Sequence, residues 1–155
     1  MTQHSETRAI RRVGPHAAGI LADIHATAFP AADAWSADVM RMQLALPNIF
    51  ALSDVANGMI LVRVAADEAE ILTLAVRPDS RRIGLGTKLL QEAVSHGMAQ
   101  GARVMFLEVS IKNTPALSLY RQFGFVRAGY RRRYYSDGTD AVVKRLDLPA
   151  MGETR

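Results

Sequence analysis

The chain has 155 residues, of which 49% are hydrophobic and 22% charged, a composition that fits one globular domain with a full apolar core. It contains no cysteine, which excludes disulfides, thiolate metal sites and a cysteine nucleophile, and no apolar run approaches the ~20 residues of a membrane span. Nineteen basic against fifteen acidic side chains give a formal charge of +4, a mild bias that suits an anionic ligand or a nucleic-acid assembly without establishing either.

The first third of the chain predicts an edge strand followed by two helices. A mixture of apolar and basic residues over 7–13 indicates the strand. Apolar residues recur at helical spacing in 14–29, which predicts the first helix. The second helix is predicted over 34–46, where Ser36 can cap the first turn and Pro47 ends the helical pattern.

Three strands are predicted next along the chain. They cover 49–53, 59–65 and 68–76. Asn57-Gly58 is a strong hairpin signal between the first two, because tight hairpin turns favour residues that tolerate a positive φ. The polar residues Asp67 and Glu68 mark the turn into the third strand.

A helix, a strand and a second helix are predicted in the following stretch. The first helix continues from a glycine-containing segment, 80–90, to about Gly97–Gly101. An apolar strand of buried type follows over 103–109. A short helix then occupies 114–125, with Gly124 at its end.

The C-terminal part predicts a hairpin whose strands, 130–135 and 141–148, flank a Ser-Asp-Gly-Thr turn. The order of elements predicts an α/β or α+β domain with a mostly antiparallel sheet and a βαβ unit over 69–109. We expect a single domain over 1–150 and a frayed tail over 151–155.

The segment 80–90, Ser-Arg-Arg-Ile-Gly-Leu-Gly-Thr-Lys-Leu-Leu, places two glycines where a helix begins. The first amides of a helix lack internal acceptors and the helix dipole makes that end partly positive, so a phosphate can bind there. Gly84 and Gly86 would let the backbone approach a phosphate, and Arg81 and Arg82 would add charged donors. The same residues are compatible with a simple turn beside solvated arginines.

Arg81, Gly84 and Gly86 match the acetyl-CoA motif Arg/Gln-x-x-Gly-x-Gly/Ala, and the chain resembles the GCN5-related N-acetyltransferase (GNAT) superfamily over nearly its whole length. Within it, the chain resembles the RimI group of ribosomal-protein-alanine N-acetyltransferases. The segments that carry this closer resemblance are 34–36, 72–76, 80–90, 106–125 and 131–135. The resemblance implies the GNAT fold, a mixed and mostly antiparallel sheet flanked by helices, with a splayed central strand pair.

The resemblance also implies which residues hold acetyl-CoA. Backbone groups of the splayed strand would pair with the pantetheine arm, at Leu74, Ala75 and Val76. The pyrophosphate would be cradled by Arg81, Arg82, Ile83, Gly84, Leu85, Gly86 and Thr87. Asn113 resembles the family's cofactor-contacting asparagine, although an ordinary turn or cap role explains it equally well.

Two further residues are implied as the catalytic pair. Glu108 lies in an otherwise apolar strand, where burial would raise the pKa of its carboxyl toward that of a useful general base. The alternative is that it faces out of the sheet and pairs with a surface arginine. Tyr120 matches the family's general acid, which would protonate the CoA thiolate as it leaves. It lies on the apolar face of its helix, so a core role is compatible.

The acceptor is expected near the 34–36 segment and the terminal hairpin, where Trp35, Tyr134 and Tyr135 could shape a peptide slot or simply pack. The arginines of 131–133 could contact an acidic or RNA-rich surface, although a solvated edge strand is the commoner explanation. The four histidines show no metal spacing, so no metal is expected.

Three functions are compatible with these residues. The first is acetylation of a protein N-terminal α-amine, most specifically that of a ribosomal protein beginning with alanine. The second is acetylation of a small amine or a lysine side chain, and the third is CoA binding without turnover. We further expect a cytoplasmic monomer or weak homodimer with a protein N-terminus as partner and no direct nucleic-acid or membrane contact.

Overall fold

The computed structural model of the chain describes residues 9–149, apart from the side chain of Arg82. Within that range the strands are β1 (Arg11–Val13), β2 (Ile49–Ser53), β3 (Gly58–Ala65), β4 (Glu68–Val76), β5 (Val104–Ser110), β6 (Val126–Arg131) and β7 (Ala141–Asp147). The α-helices of the same range are α1 (Ala18–Ala28), α2 (Ala37–Leu44), α3 (Leu85–Ala99) and α4 (Thr114–Phe123). Short 3-10 helices, Pro15–Ala17 and Pro78–Ile83, lead into α1 and α3.

The strands form one sheet in the order β1-β2-β3-β4-β5-β7-β6. In this described sheet β4 and β5 run parallel, and the other five neighbouring pairs are antiparallel. The parallel pair is joined through α3, as a parallel connection requires. The predicted mostly antiparallel sheet and its βαβ unit are therefore confirmed.

The terminal hairpin is confirmed, but the predicted bounds of its first strand, 130–135, are wrong. Gly124 adopts φ +117° and ends α4, so the chain turns almost directly into β6 at Val126. The strand ends at Arg131, and residues 132–140 form the loop to β7. The start of the predicted edge strand and the predicted frayed tail lie outside the described residues.

Helices cover both faces of the sheet. The helices α3 and α4 pack on one face, and α1 and α2 pack on the other. The apolar residues of α3 that are buried against the first face are Leu85, Leu89, Leu90, Ala93 and Val94. Among the helices described, none is both long and apolar enough to cross a membrane.

The strands β4 and β5 separate halfway along their length. Their register runs from Glu68 opposite Val104 to Ile71 opposite Leu107 and then stops. On the other edge of β4, the register against β3 shifts so that Leu72 is an extra residue. Such a bulge bends its strand and increases the local twist. The predicted splay of the central strand pair is thus confirmed, and the bulge lies at the point where the splay begins.

A buried carboxylate organises the β2–β3 hairpin. Oδ1 of Asp54 accepts hydrogen bonds from the backbone amides of Ala56, Asn57 and Gly58, at 3.1, 2.9 and 3.1 Å. Burial opposes ionisation of Asp54, but these hydrogen bonds outweigh burial and lower the pKa of its carboxyl. The hairpin predicted at Asn57-Gly58 is confirmed, with Gly58 as the first residue of β3.

We expect Asp54→Ala to lower the free energy of unfolding by about 3 kcal/mol at neutral pH, because three amides lose an ionic acceptor. A carboxyl whose pKa is lowered by folding stabilises the fold above its unfolded pKa of about 3.9. That stabilisation is lost as the pH falls through the folded-state pKa. Urea unfolding of both proteins should therefore show a difference that shrinks in acid.

A matched control is Asp38→Ala, which removes an exposed carboxylate paired with Arg41 on α2. An exposed pair contributes about 0–1 kcal/mol, so little change is expected at any pH. A destabilisation by Asp54→Ala that stays constant from neutral to acidic pH would contradict the role assigned to the ionised carboxylate.

Candidate active site

The N-terminus of α3 presents backbone amides that have no acceptor within the helix. The first intrahelical bond there runs from the Lys88 amide to the Gly84 carbonyl, at 3.1 Å. The amides before Lys88 therefore point out of the helix, and Gly84 has no side chain that could cap them. The exposed side chain of Arg81 lies beside this end, with Nε donating to the Val76 carbonyl at 3.3 Å. This is the geometry of an anion site.

The two glycines of this segment are required for different reasons. Gly84 adopts φ +76°, a left-handed conformation that favours glycine, and a Cβ there would meet open space. Gly86 lies against α4, where a Cβ would come within 2.9 Å of Cδ2 of Leu119. Gly86 therefore has a packing role that the sequence did not reveal, because the missing Cβ lets α3 pack closely on α4.

A cleft of about 190 Å³ opens beside this helix end, between β4 and α4. Seven of the residues predicted to hold the cofactor line it: Leu74, Val76, Arg81, Gly84, Gly86, Thr87 and Asn113. We call it the cofactor cleft. Its walls are apolar where β4 faces α4 and polar at the end of α3, which suits a ligand with an apolar arm and a charged end.

Three other predicted cofactor residues do not line this cleft with their side chains. Ala75 is buried in the core beneath α1 and α2. Leu85 is buried in the core beneath α3, and Ile83 is exposed to solvent. Their side chains are excluded from the cleft, so any contact with a ligand there would have to come from their backbone. The side chain of Arg82 is not described.

Asn113 lies at the N-cap of α4, where its Oδ1 accepts a hydrogen bond from the Ala116 amide at 3.3 Å. The cap role that the sequence left open is therefore real. Asn113 also lines the cofactor cleft and the larger cavity next to it. The two roles are compatible because the cap uses the carbonyl oxygen and leaves the amide donors available.

A cavity of about 480 Å³ adjoins the cofactor cleft at the opening between β4 and β5. The two share part of their lining: Ala28, Phe29, Leu74, Asn113 and Ala116. Four residues predicted for catalysis or acceptor binding line this second space: Glu108, Tyr120, Trp35 and Tyr135. We call it the acceptor cavity. The strand opening thus brings together residues from four separate segments of the chain.

Glu108 lies on β5 just beyond the last β4–β5 pair, with 19% of its side chain exposed. Its Oε1 pairs with Nε of Arg131 at 2.6 Å, and the Arg131 side chain is largely exposed. The pairing with a surface arginine that the sequence left open is therefore present. The same carboxylate also lines the acceptor cavity, so the pairing does not remove it from the site.

Tyr120 is buried on α4, with its ring edge-on to Phe125 at a centroid distance of 5.6 Å. Burial raises the pKa of its hydroxyl well above the usual value of about 10, and the nearby Tyr135 adds to the shift. Tyr120 is therefore protonated across the physiological range. It belongs to the core and to the cavity wall at once, so its core position does not exclude it from the site.

Of the three aromatic residues predicted to bind the acceptor, two line the acceptor cavity and one lies outside it. Trp35 and Tyr135 line the acceptor cavity, and burial together with the Glu108 charge raises the pKa of Tyr135 to about 12. Tyr134 is exposed outside it, where hydrogen bonding to the Glu108 carboxylate raises the pKa of its hydroxyl. Its ring packs edge-on against Tyr135 at 5.2 Å.

His25 is a cavity residue that the sequence reasoning missed. It lies on the buried face of α1, only 1% exposed, and its ring stacks on Phe29 with centroids 4.2 Å apart. Burial lowers the pKa of its imidazole to about 4. The available signal was its position on the apolar stripe of the first predicted helix, one turn after Leu21, which marks a buried rather than a surface histidine.

The chain is similar in sequence to known acetyltransferases. A family model described as "Acetyltransferase (GNAT) family" matches residues 21–125. The N-alpha-acetyltransferase RimI of Mycobacterium tuberculosis is 35% identical over 135 residues, which cover 81% of this chain and 84% of that protein. The [ribosomal protein bS18]-alanine N-acetyltransferase of Escherichia coli K12 is 37% identical over 91 residues. That match spans 57% of this chain and 62% of the E. coli protein's length.

The same relationship is visible in three dimensions. The crystal structure of the ribosomal-protein-S18-alanine N-acetyltransferase from Escherichia coli superposes with a TM-score of 0.79 at 28% sequence identity. The superposition covers 95% of this chain and 97% of that one. The similarity therefore extends over nearly the whole chain.

Phosphate binding at the N-terminal end of α3 can be tested with Thr87→Glu. Thr87 is the third residue of α3 and lines the cofactor cleft. A carboxylate there should stabilise the helix by about 0.3–1 kcal/mol and repel a phosphate, so we expect affinity for CoA to fall by at least about tenfold while the melting temperature is kept or raised. Calorimetric titration and thermal melting measure the two effects.

The matched control is Gln91→Glu, which adds the same charge at an exposed position one turn further along α3. It should leave CoA affinity within about twofold, since the dipole effect is confined to the first turn. Equal CoA affinity in the Thr87→Glu and Gln91→Glu proteins would argue against phosphate binding at this helix end.

Proposed function

The chain belongs to the acetyltransferase (GNAT) family, and on that premise we propose that it transfers the acetyl group of acetyl-CoA to the N-terminal α-amine of a protein. The acceptor that we favour is a ribosomal protein beginning with alanine. The observation that carries the proposal is the junction of the cofactor cleft and the acceptor cavity, with Glu108 and Tyr120 in the wall of the second.

The residues present fit acetyl-CoA. The free amides at the start of α3, with Arg81 beside them, would hold the pyrophosphate. The edge of β4 from Leu74 to Val76 has no β5 partner, so its backbone could pair with the amides of the pantetheine arm. Held by these residues, acetyl-CoA would supply an activated acetyl thioester.

Glu108 is the residue that we assign as general base. An α-amine has a pKa near 8, so a large share is protonated at neutral pH and must lose a proton before it attacks a thioester. Glu108 lines the cavity at the end of the β4–β5 pairing and is close enough to solvent to pass a proton outward. Whether the transfer is direct or passes through a water does not change the assignment.

Tyr120 is the residue that we assign as general acid. A thiolate of pKa about 8.5 leaves when the acetyl group is transferred, and a phenol can protonate it. Because burial raises the pKa of Tyr120, its hydroxyl keeps its proton until negative charge develops next to it. It lies on α4, the helix that forms the far wall of both spaces.

The proposed acceptor class is supported by two relatives. The M. tuberculosis protein is named as an N-alpha-acetyltransferase, and the E. coli protein is named for acetylation of an alanine of ribosomal protein bS18. The acceptor cavity also accommodates more than an amine, since about 480 Å³ is enough for the first residues of a peptide.

The acceptor class is tested by incubating the protein and acetyl-CoA with peptides that begin with alanine, with Nα-blocked lysine peptides and with small amines such as polyamines. Mass spectrometry should show acetylation on the α-amine of the alanine peptides, and at least about tenfold faster there than on the other acceptors. A preference for a small amine would replace the proposed acceptor. Binding of acetyl-CoA without transfer to any amine would reduce the protein to a CoA-binding module.

The catalytic pair is tested by Glu108→Gln and Tyr120→Phe. Each should lower kcat by about 100-fold or more, because each removes a positioned proton acceptor or donor, while affinity for acetyl-CoA stays within about threefold. Glu70→Gln is the control for the first, since it also breaks a surface ion pair, that with Arg63. Tyr130→Phe, on exposed β6, is the control for the second. Parent-level turnover in either test variant would reject its assignment.

A further inference from the structure

His25 is a buried titratable residue in the wall of the acceptor cavity, and the proposed chemistry does not use it. Its ring is held on one side by the stacked Phe29 and on another by Trp35, whose ring lies 5.6 Å away. Burial lowers the pKa of the imidazole to about 4, so it is neutral at physiological pH. A neutral imidazole has one donor nitrogen and one acceptor nitrogen.

The hydrogen bonds of His25 show which ring nitrogen is the donor and which is the acceptor. The backbone amide of Trp35 donates to Nδ1 at 3.1 Å, so Nδ1 carries the lone pair. The proton is therefore on Nε2, which lies 2.8 Å from the hydroxyl oxygen of Thr73. It follows that Nε2 donates and the Thr73 hydroxyl accepts.

Thr73 is left with a hydroxyl proton to donate. The bulge at Leu72 turns Thr73 toward α1 and the acceptor cavity, which it lines. Among residues 9–149, His25 is the hydrogen-bonding partner that the structure gives for its side chain. Because Nε2 of His25 uses one lone pair of the Thr73 oxygen, the orientation of the hydroxyl is restricted. The hydroxyl can then donate a hydrogen bond to a ligand in the cavity.

The position of Thr73 relative to Glu108 indicates which group of an acceptor could receive this hydrogen bond. Thr73 is two residues beyond the last paired residue of β4, and Glu108 is one residue beyond its partner on β5. They therefore face each other across the start of the strand opening, on the face of the sheet that α1 covers. In an acceptor whose amine is at Glu108, the first carbonyl oxygen is three bonds from the amine nitrogen and can point across the opening toward β4.

We propose that Thr73 is a specificity-determining residue whose hydroxyl donates a hydrogen bond to the backbone carbonyl of the acceptor's first residue, and that His25 is the positioning residue that orients it. The inference rests on the proposed function and deepens it. Every protein N-terminus has a carbonyl at this distance from its α-amine. A lysine ε-amine and simple alkylamines have none, so the contact selects N-termini.

The variants that test this are Thr73→Val, which keeps the shape and removes the hydroxyl, and Thr73→Ser, which restores it. The acceptors are a peptide beginning with alanine and isopropylamine, which is alanine with a methyl group in place of the carbonyl. We expect Thr73→Val to lower kcat/KM for the peptide by about tenfold and for isopropylamine by less than about twofold. Thr73→Ser should restore kcat/KM for the peptide to within about threefold of the wild-type value. KM for acetyl-CoA should not change in either variant.

A second test uses the wild-type protein and so does not depend on the folding of any variant. Replacing the first carbonyl oxygen of the alanine peptide by sulfur, a weaker acceptor, should lower kcat/KM by about fivefold or more. Sulfur on the second carbonyl is the control and should have an effect below about twofold. His25→Phe, which keeps the ring stacked on Phe29 but removes both hydrogen bonds, should reduce this sensitivity to sulfur.

The outcomes separate this inference from the proposed function. Equal losses for the peptide and isopropylamine in Thr73→Val would show that Thr73 only supports the structure, and would overturn the inference. So would equal effects of sulfur at the first and second carbonyls. If the wild-type protein acetylates no amine, the proposed function fails and the inference fails with it.

Discussion

The separation of β4 from β5 is the constraint on which the rest of the site depends. In the interior of a sheet, each strand edge normally satisfies the backbone groups of its neighbour, and here that pairing ends at Ile71 and Leu107. The bulge at Leu72 coincides with this point and bends β4 away. The result is a slot with unpaired backbone along one wall, and both the cofactor cleft and the acceptor cavity border it.

The helices α3 and α4 convert that slot into a shaped site. Gly86 allows α3 to lie close against Leu119 of α4. This contact fixes the position of the amides at the start of α3 relative to the cleft wall formed by α4. Asn113 caps α4 at the same junction. The start of α3 and the unpaired end of β4 line the same cleft, so a ligand held at that helix end would lie beside β4.

The two proposed catalytic side chains lie in contrasting environments, and their chemistry follows from the contrast. Glu108 is partly exposed and paired with Arg131, so it can exchange a proton with solvent. Tyr120 is buried against Phe125, and burial raises the pKa of its hydroxyl. Acyl transfer to an amine needs a proton acceptor for the amine and a proton donor for the leaving thiolate, and these are the roles that we propose for the two side chains. On the α1 side, the neutral imidazole of His25 connects the Trp35 segment to β4.

The order of elements, the mostly antiparallel sheet and the glycine-containing start of α3 could be predicted from the sequence, because they follow from local periodicity and backbone preferences. The predicted strand that contains Glu108 and the predicted helix that contains Tyr120 are both present, and the catalytic roles that the family resemblance implies for these residues are part of our proposal. Three features become visible only in the folded chain: Gly86 is needed for helix packing, Glu108 pairs with Arg131, and His25 faces Thr73, 48 residues away. These are contacts between segments distant in the chain, and no local pattern encodes which distant side chain completes a hydrogen bond or fills a gap.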